Sequence, residues 1–259
     1  MFYDIDDPFK FVKDVYDLLD DNGVWIVEVA YLSTMMKNLA YDQVMHEHLT
    51  YLGFKQMHWL IKKNNMKIID FSTNLINGGS ILITVSKNKS KLKDNKTKVQ
   101  NFLKKEKKYI TSKSLNLFKE RVQNHKNEVT TLLNNIKKNK KVVYGYGAST
   151  KGNVILNYCN ISKKLMKKIC DENKMKNGQV TPGSRIPIIT KKQMRKENPD
   201  YLYVFIWPLR KEVLRAEKEF IDKGGTIIFN LPKIHFVNKK NYNFYVKSSL
   251  EQLSFDKSH

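Results

Sequence analysis

The sequence predicts an α/β protein in which a partial sheet precedes a doubly wound parallel sheet, the two joined by long helices. Three observations carry this expectation. From Lys141 onward, β-branched strand-like runs alternate with amphipathic helical stretches. Glycines stand where a strand would turn into a helix, as in Gly145-Tyr146-Gly147. The first 90 residues begin the same alternation, with one helix and one good strand, then give way to antiparallel-looking material.

The elements follow in order. Pro8 to Leu19 has apolar residues at helical spacing after acidic starters, and Asp21-Asn22-Gly23 ends it. Val24-Trp25-Ile26-Val27-Glu28-Val29 reads as a buried strand. A helix over 54–64, a strand over 67–71, a turn at Asn77-Gly78-Gly79 and a strand over 81–85 complete a first unit, 1–90. Residues 91–140 read as a lysine-rich helical connector. Its sparse apolar stripe includes Val99, Phe102, Leu103, Val129, Leu133 and Ile136. The second unit, 141–259, opens with a strand into the glycine turn and a helix near Thr150. Strands at 167–170, 201–206 and 226–229 and helices at 191–196 and 209–223 follow.

Composition excludes several classes. No run of about 18 apolar residues occurs, so a membrane-spanning helix is not expected. The opening Met1-Phe2-Tyr3-Asp4-Ile5-Asp6-Asp7 is acidic where a signal peptide would be basic. Cys159 and Cys170 are too few for a disulfide framework or a cysteine-based zinc site, and a reducing cytoplasmic compartment fits. The net charge of +22 invites a nucleic-acid reading. However, only five of the 47 basic residues are arginines, and 25 asparagines accompany the lysines, as an A/T-rich coding sequence would produce. A reader of phosphates or base edges would use more of arginine's bidentate fork. Residues 87–141 hold +14 of the charge, which reads as a solvated helix face.

The densest chemical constellation is Tyr41-Asp42-Gln43-Val44-Met45-His46-Glu47-His48-Leu49-Thr50-Tyr51. Imidazole suits general-base work near pH 7, and a neighbouring carboxylate can orient it or raise its basicity. A hydrogen-bonded surface segment and a two-histidine metal site are the other readings; no third ligand is identifiable, so no metal is expected. A second candidate is Gly145-Tyr146-Gly147-Ala148-Ser149-Thr150-Lys151-Gly152-Asn153, placed to hold an anion at a helix N-terminus. It matches neither the dinucleotide nor the Walker template, though Asp171 at the end of the next strand could reach a ribose, leaving a nicotinamide site open.

Taken in order, Val27-Glu28-Val29, Tyr41-Asp42-Gln43, His46-Glu47-His48-Leu49, Asn77-Gly78-Gly79-Ser80, Gly145 to Asn153, Asp171-Glu172-Asn173 and Thr181 to Ile188 resemble the nucleotide-sugar C-methyltransferases. These are class I S-adenosylmethionine enzymes of deoxysugar biosynthesis. The resemblance runs from Met1 to about Pro232. It implies a partial class I methyltransferase sheet over 1–90 and a Rossmann-like domain over 141–259. It also implies His48 as general base, with Glu47 beside it and His46 near. The implied sugar-nucleotide ligands are Tyr41, Asn77, Gly79, Ser80, Gly145, Gly147, Ser149, Lys151 and Asp171, with Glu28 lining the cofactor cleft. In such enzymes the S-adenosylmethionine glycine loop and zinc-binding cysteines lie on segments before the helix that opens this chain. The expectation is therefore an incomplete cofactor site, with a separate chain supplying the missing half as one possibility and a non-catalytic nucleotide-sugar-binding subunit as the rival function. Departures include Met45 where the family commonly has tyrosine, Leu82 near a usual arginine, and Lys174 for a usual proline.

Overall fold

In this computed structural model, which describes residues 2–249 and 252, the chain sorts into two units by its contacts. Unit 1 takes residues up to 38 together with 46–118. Unit 2 takes 39–45 together with those from 119 onward.

Unit 1 starts where the sequence predicts. Pro8 suits the first helical position, and the Asp7 carboxylate accepts the Lys10 N–H at 2.9 Å, opening α1 (Pro8–Leu18). β1 (Val24–Ala30), β2 (Met66–Asn74) and β3 (Ser80–Lys87) form an antiparallel sheet in the order β1-β3-β2. The register pairs Val24 with Ser86 and Ala30 with Ser80. A short helix, α2 (Leu32–Lys37), was not anticipated, its six residues giving too little periodicity to read. Helix α3 (Phe54–Lys63) and helix α4 (Lys96–Tyr109) join α1 in supplying the core. Val27, Val29, Ile81, Ile83 and Val85 of the sheet pack there with Val12, Phe54, Met57, Ile61 and Val99. The other face of β1 points Val24, Ile26 and Glu28 outward, Ile26 being 61% exposed.

The lysine-rich stretch is more than a connector. Glu106 of α4 is buried, and its carboxylate accepts the backbone N–H groups of Phe54 at 2.5 Å and Lys55 at 2.8 Å. Gly53, at the N-cap of α3, has no side chain for that task, so the cap comes from another helix. α5 (Ser112–Lys138) follows, its residues to Phe118 grouped with unit 1 and the remainder with unit 2.

Unit 2 is the doubly wound sheet. Its strands are β4 (Val143–Tyr146), β5 (Ile169–Asp171), β6 (Ile188–Thr190), β7 (Tyr201–Val204), β8 (Thr226–Phe229) and β9 (His235–Val237). Their spatial order is β6-β5-β4-β7-β8-β9, parallel except for the β8–β9 pair. The chain runs outward through β5 and β6 on one side of β4, then returns to β7 on the other. The order therefore reverses between β4 and β7, the switch point at which such sheets take ligands. β6 and β9, three residues each, are too short to carry a period and were not predicted. α6 (Thr150–Tyr158) is capped by Ser149, which accepts the Gly152 N–H at 3.0 Å; α7 (Lys191–Glu197) is capped by Thr190 in the same way.

The single helix expected over 209–223 is instead two, α8 (Arg210–Ala216) and α9 (Lys218–Asp222), broken at Glu217. Glu217 is a buried carboxylate, accepting from the Tyr146 hydroxyl at 2.9 Å and from Arg195 at 2.6 and 3.0 Å. Turning that acid inward sets its backbone at φ −111° and ends the first helix. A last helix, α10 (Tyr242–Lys247), follows β9.

Candidate functional site

The constellation that reads as one cluster in sequence, 41–51, is two. Its first part, 39–45, is a strap that belongs to unit 2. Leu39 adopts φ 52°, and a single 3₁₀ turn, Tyr41–Gln43, is buried. The Tyr41 hydroxyl hydrogen-bonds the His125 Nδ1 at 3.0 Å, and the His125 Nε2 lies 2.8 Å from the Asn230 carbonyl. A carbonyl can only accept, so Nε2 carries the proton and Nδ1 accepts from the phenol. Burial keeps this imidazole neutral, its pKa pushed down to about 4. Tyr41 was expected to meet a substrate; here its hydroxyl serves an internal network.

Asp42 is fully buried in unit 2. Its Oδ2 accepts the Trp207 indole N–H at 2.8 Å. Burial lifts its pKa to about 6, opposed by the indole bond and by the charge of Lys151. Lys151, in the first turn of α6, is itself lowered by burial and held up by Asp42.

The second part, from His46, lies in unit 1. His46 is 91% exposed and sits 3.4 Å from the Glu47 carboxylate. His48 is different: its side chain is 11% exposed, packed against the Tyr3 ring at 4.2 Å between centroids, with Tyr51 at 6.3 Å. Its Nε2 lies 3.9 Å from the Asp4 carboxylate. The sequence suggests Glu47 as the acid beside His48; Glu47 instead faces His46, and Asp4 takes its place. Asp4 and Tyr3 were missed because a residue 44 positions upstream gives no local signal. The Tyr3 carbonyl accepts from the Leu49 and Thr50 N–H groups at 2.9 and 3.2 Å, tying the His48 segment to the start of the chain.

Asn77, Gly79 and Ser80 form the β2–β3 turn. Asn77, Gly78 and Gly79 all have positive φ, and a Cβ on Gly79 would lie 2.5 Å from the Thr34 Cβ. Ser80 donates to the Ile76 carbonyl at 3.0 Å, and Glu28 accepts from Asn74 at 2.7 Å. These residues share unit 1 with His48.

Gly145, Gly147, Ser149, Lys151 and Asp171 gather at the switch point of unit 2. Gly147 has φ +88°, and a Cβ there would meet Ile206 at 2.7 Å. Asp171, the acid read as a ribose ligand, uses both oxygens on backbone: Oδ2 accepts from Ala148 N–H at 2.7 Å and Oδ1 from Asn173 N–H at 2.8 Å. It therefore pins its own glycine turn. Among the described residues no group of three or more metal-ligating side chains occurs, and no helix is long and apolar enough to cross a membrane.

A six-stranded doubly wound sheet and a glycine turn pinned by Asp171 at its switch point define an α/β domain of the doubly wound class. Residues 75–232 match the family described as C-methyltransferase C-terminal domain, and the chain belongs to that family. Among individual proteins it is similar to the C-methyltransferase NovU of Streptomyces niveus, 28% identical over 244 residues. The match covers 93% of this chain and 57% of NovU, so the chain spans rather more than half the length of that relative. A nucleoside-bearing methyl donor needs a glycine turn between a strand end and a helix. Among the described glycines of unit 1, Gly53 follows a loop, Gly23 precedes β1, and Gly78 and Gly79 sit in a hairpin. None of these stands between a strand end and a helix, as Gly147 of unit 2 does.

Proposed function

We propose that this chain takes part in methyl transfer from S-adenosylmethionine to a ring carbon next to the ketone of a nucleotide-linked sugar. His48 is the general base that removes the proton on that carbon. The observation that carries the reading is the His48 imidazole, held between Tyr3 and Tyr51 with the Asp4 carboxylate 3.9 Å from Nε2. A carboxylate at that distance, with a ring packed on either side, orients the imidazole. Loss of the proton leaves an enolate whose carbon attacks the methyl. The donor supplies a methyl on a sulfonium, and the part of the residues named here is the proton step. Glu47 and His46, exposed beside the base, would hydrogen-bond the sugar, with Asn77, Gly79 and Ser80 elsewhere in the same unit, and Glu28 would line the cofactor cleft. Family membership and the similarity to NovU support the reading. We place the reaction in the cytoplasm.

The test is deuterium wash-in at the carbon next to the ketone, which needs the base but not the donor. His48→Ala should lower wash-in by about 10²–10⁴-fold while sugar-nucleotide affinity changes little. Unchanged wash-in in folded His48→Ala protein would mean that another group is the base. A second reading, a nucleotide-sugar-binding subunit that acts with a further chain, is favoured by the outward Val24 and Ile26 of β1. It is distinguished by binding without any wash-in.

A further inference from the structure

Within unit 1, α3 buries Phe54, Met57, Leu60 and Ile61. That spacing leaves Lys55, Trp59, Lys62 and Lys63 together on the exposed face of the helix. Between this face and the later turns of α4 lies a cavity of about 830 Å³ whose apolar lining is Trp59, Leu103 and Ile110. Its volume falls in the range of small-molecule sites, about 300–1,000 Å³. The Trp59 indole is 53% exposed, yet it is propped from one side by the Phe9 ring, 6.2 Å away between centroids. The cavity therefore holds one aromatic platform already set in place.

Five lysines, Lys55, Lys62, Lys63, Lys104 and Lys107, line the same cavity, and all are exposed. A lysine of this kind lays its four-carbon stem on apolar surface and keeps its ammonium in water. Among the described residues none of the five has an ion-pair partner. The cavity's one acid, Glu106, is already engaged, its oxygens accepting the Phe54 and Lys55 N–H groups. The neighbouring hollow differs: it is smaller, about 320 Å³, and holds Asp94, 4.0 Å from its own Lys96. A merely solvated lysine face needs neither a concavity nor an aromatic wall. A lipid surface, being flat, would not enter one.

We propose that the α3–α4 cavity of unit 1 binds a small aromatic anion. A flat ring lies on Trp59 against Leu103 and Ile110, and one acidic group, whether carboxylate, sulfonate or phosphate, meets the lysines. The proposal uses none of the residues assigned to the proton step and does not rest on it. No single exposed ammonium contributes much, so affinity comes from the ring and from the sum of the charges, and it falls with salt.

The experiment titrates the whole chain with 8-anilinonaphthalene-1-sulfonate, read by fluorescence, and locates the dye by amide hydrogen exchange. One dye should bind per chain in the tightest class, protecting 54–63 and 103–110. Trp59→Gln should weaken it by about tenfold or more, while Trp59→Phe, which keeps a ring, should retain most of the affinity. Lys62→Gln with Lys104→Gln should weaken it by about three- to tenfold and remove most of the salt dependence. N-phenyl-1-naphthylamine, the same rings without the sulfonate, should bind at least about tenfold more weakly than the dye. The substituted side chains are exposed, and unchanged circular dichroism confirms folding; if Trp59→Gln loses that signal, the lysine pair and the neutral analogue decide. Unchanged affinity in folded Trp59→Gln, a neutral analogue as tight as the dye, or protection confined to other segments would each overturn the proposal. Displacement by inorganic sulfate at low millimolar concentration would make this a simple anion site, and displacement by poly-L-glutamate would make its occupant an acidic chain; either also overturns it.

Discussion

Among the described residues of unit 2, His125 and His235 are the buried imidazoles, and both are held neutral. Burial lowers each to about 4, His125 between Tyr41 and Asn230, and His235 stacked between Phe229 and Tyr245. Their unfolded counterparts protonate near 6.5. Between pH 6.5 and 4 the unfolded chain therefore binds more protons than the folded one, and stability falls as pH falls through that window. Asp42 works the other way. Its pKa is raised to about 6, so acidification from pH 6 towards 4 relieves a buried charge. Two histidines against one carboxyl leave a net loss of about 2–3 kcal/mol between pH 7 and pH 5. Urea unfolding at the two pH values should show it. His125→Gln, which keeps a side chain able to reach Asn230, should remove more than half of that loss. An unchanged drop would mean that His125 already carries a proton in the folded state.

At the scale of elements, the long-range cap on α3 is the least expected device. Glu106 replaces the side chain that Gly53 lacks, accepting two N–H groups from a helix 50 residues away. Glu106→Ala should cost about 1–2 kcal/mol, more than an exposed acid would, because two buried donors lose their partner. Thermal or urea unfolding of unit 1 measures this, and a change under about 0.3 kcal/mol would make the cap incidental. The same element marks the limit of what the sequence discloses. The apolar stripe Val99, Phe102, Leu103 is visible by its period, and the structure packs it against the unit 1 core. Its destination is not visible, since charge dominates the composition around it and Glu106 is one of four acids among many lysines. β4, β7 and β8 are legible as apolar runs with breakers beside them: Gly147 after β4, Asp200 and Pro208 around β7, and Gly225 before β8. β6, β9 and α2 are not, being three to six residues long. The split at Glu217 is invisible locally because its cause is Tyr146 and Arg195. Of the candidate site, the histidines were legible by chemistry. Asp4 was not, since its meeting with His48 is made by the fold.

At the scale of the whole molecule, the two units are not consecutive stretches of chain. Unit 2 includes the later part of α5 as well as the strap, so a boundary drawn at Lys141 would remove both. Val129, Leu133 and Ile136 are buried residues of α5, each contributing about 1.5–3 kcal/mol of burial. Their sum is comparable to the entire margin of a domain, about 5–15 kcal/mol. His125 leaves with them, and the Asn230 carbonyl loses its donor. A fragment of 141–259 should therefore lack a cooperative urea transition and bind a hydrophobic dye, while 119–259 should fold. The longer fragment still lacks 39–45, so the Trp207 indole N–H and the His125 Nδ1 have no strap partner. It should be less stable than unit 2 within the intact chain by about 2–4 kcal/mol, two buried hydrogen bonds being lost with Tyr41's packing. Circular dichroism and fluorescence through a urea titration of both fragments and the whole chain decide the question. Equal midpoints for 141–259 and 119–259 would mean that α5 contributes nothing to unit 2. Equal midpoints for 119–259 and the unit 2 transition of the whole chain would mean that the strap is a passenger, held by unit 2 without stabilising it.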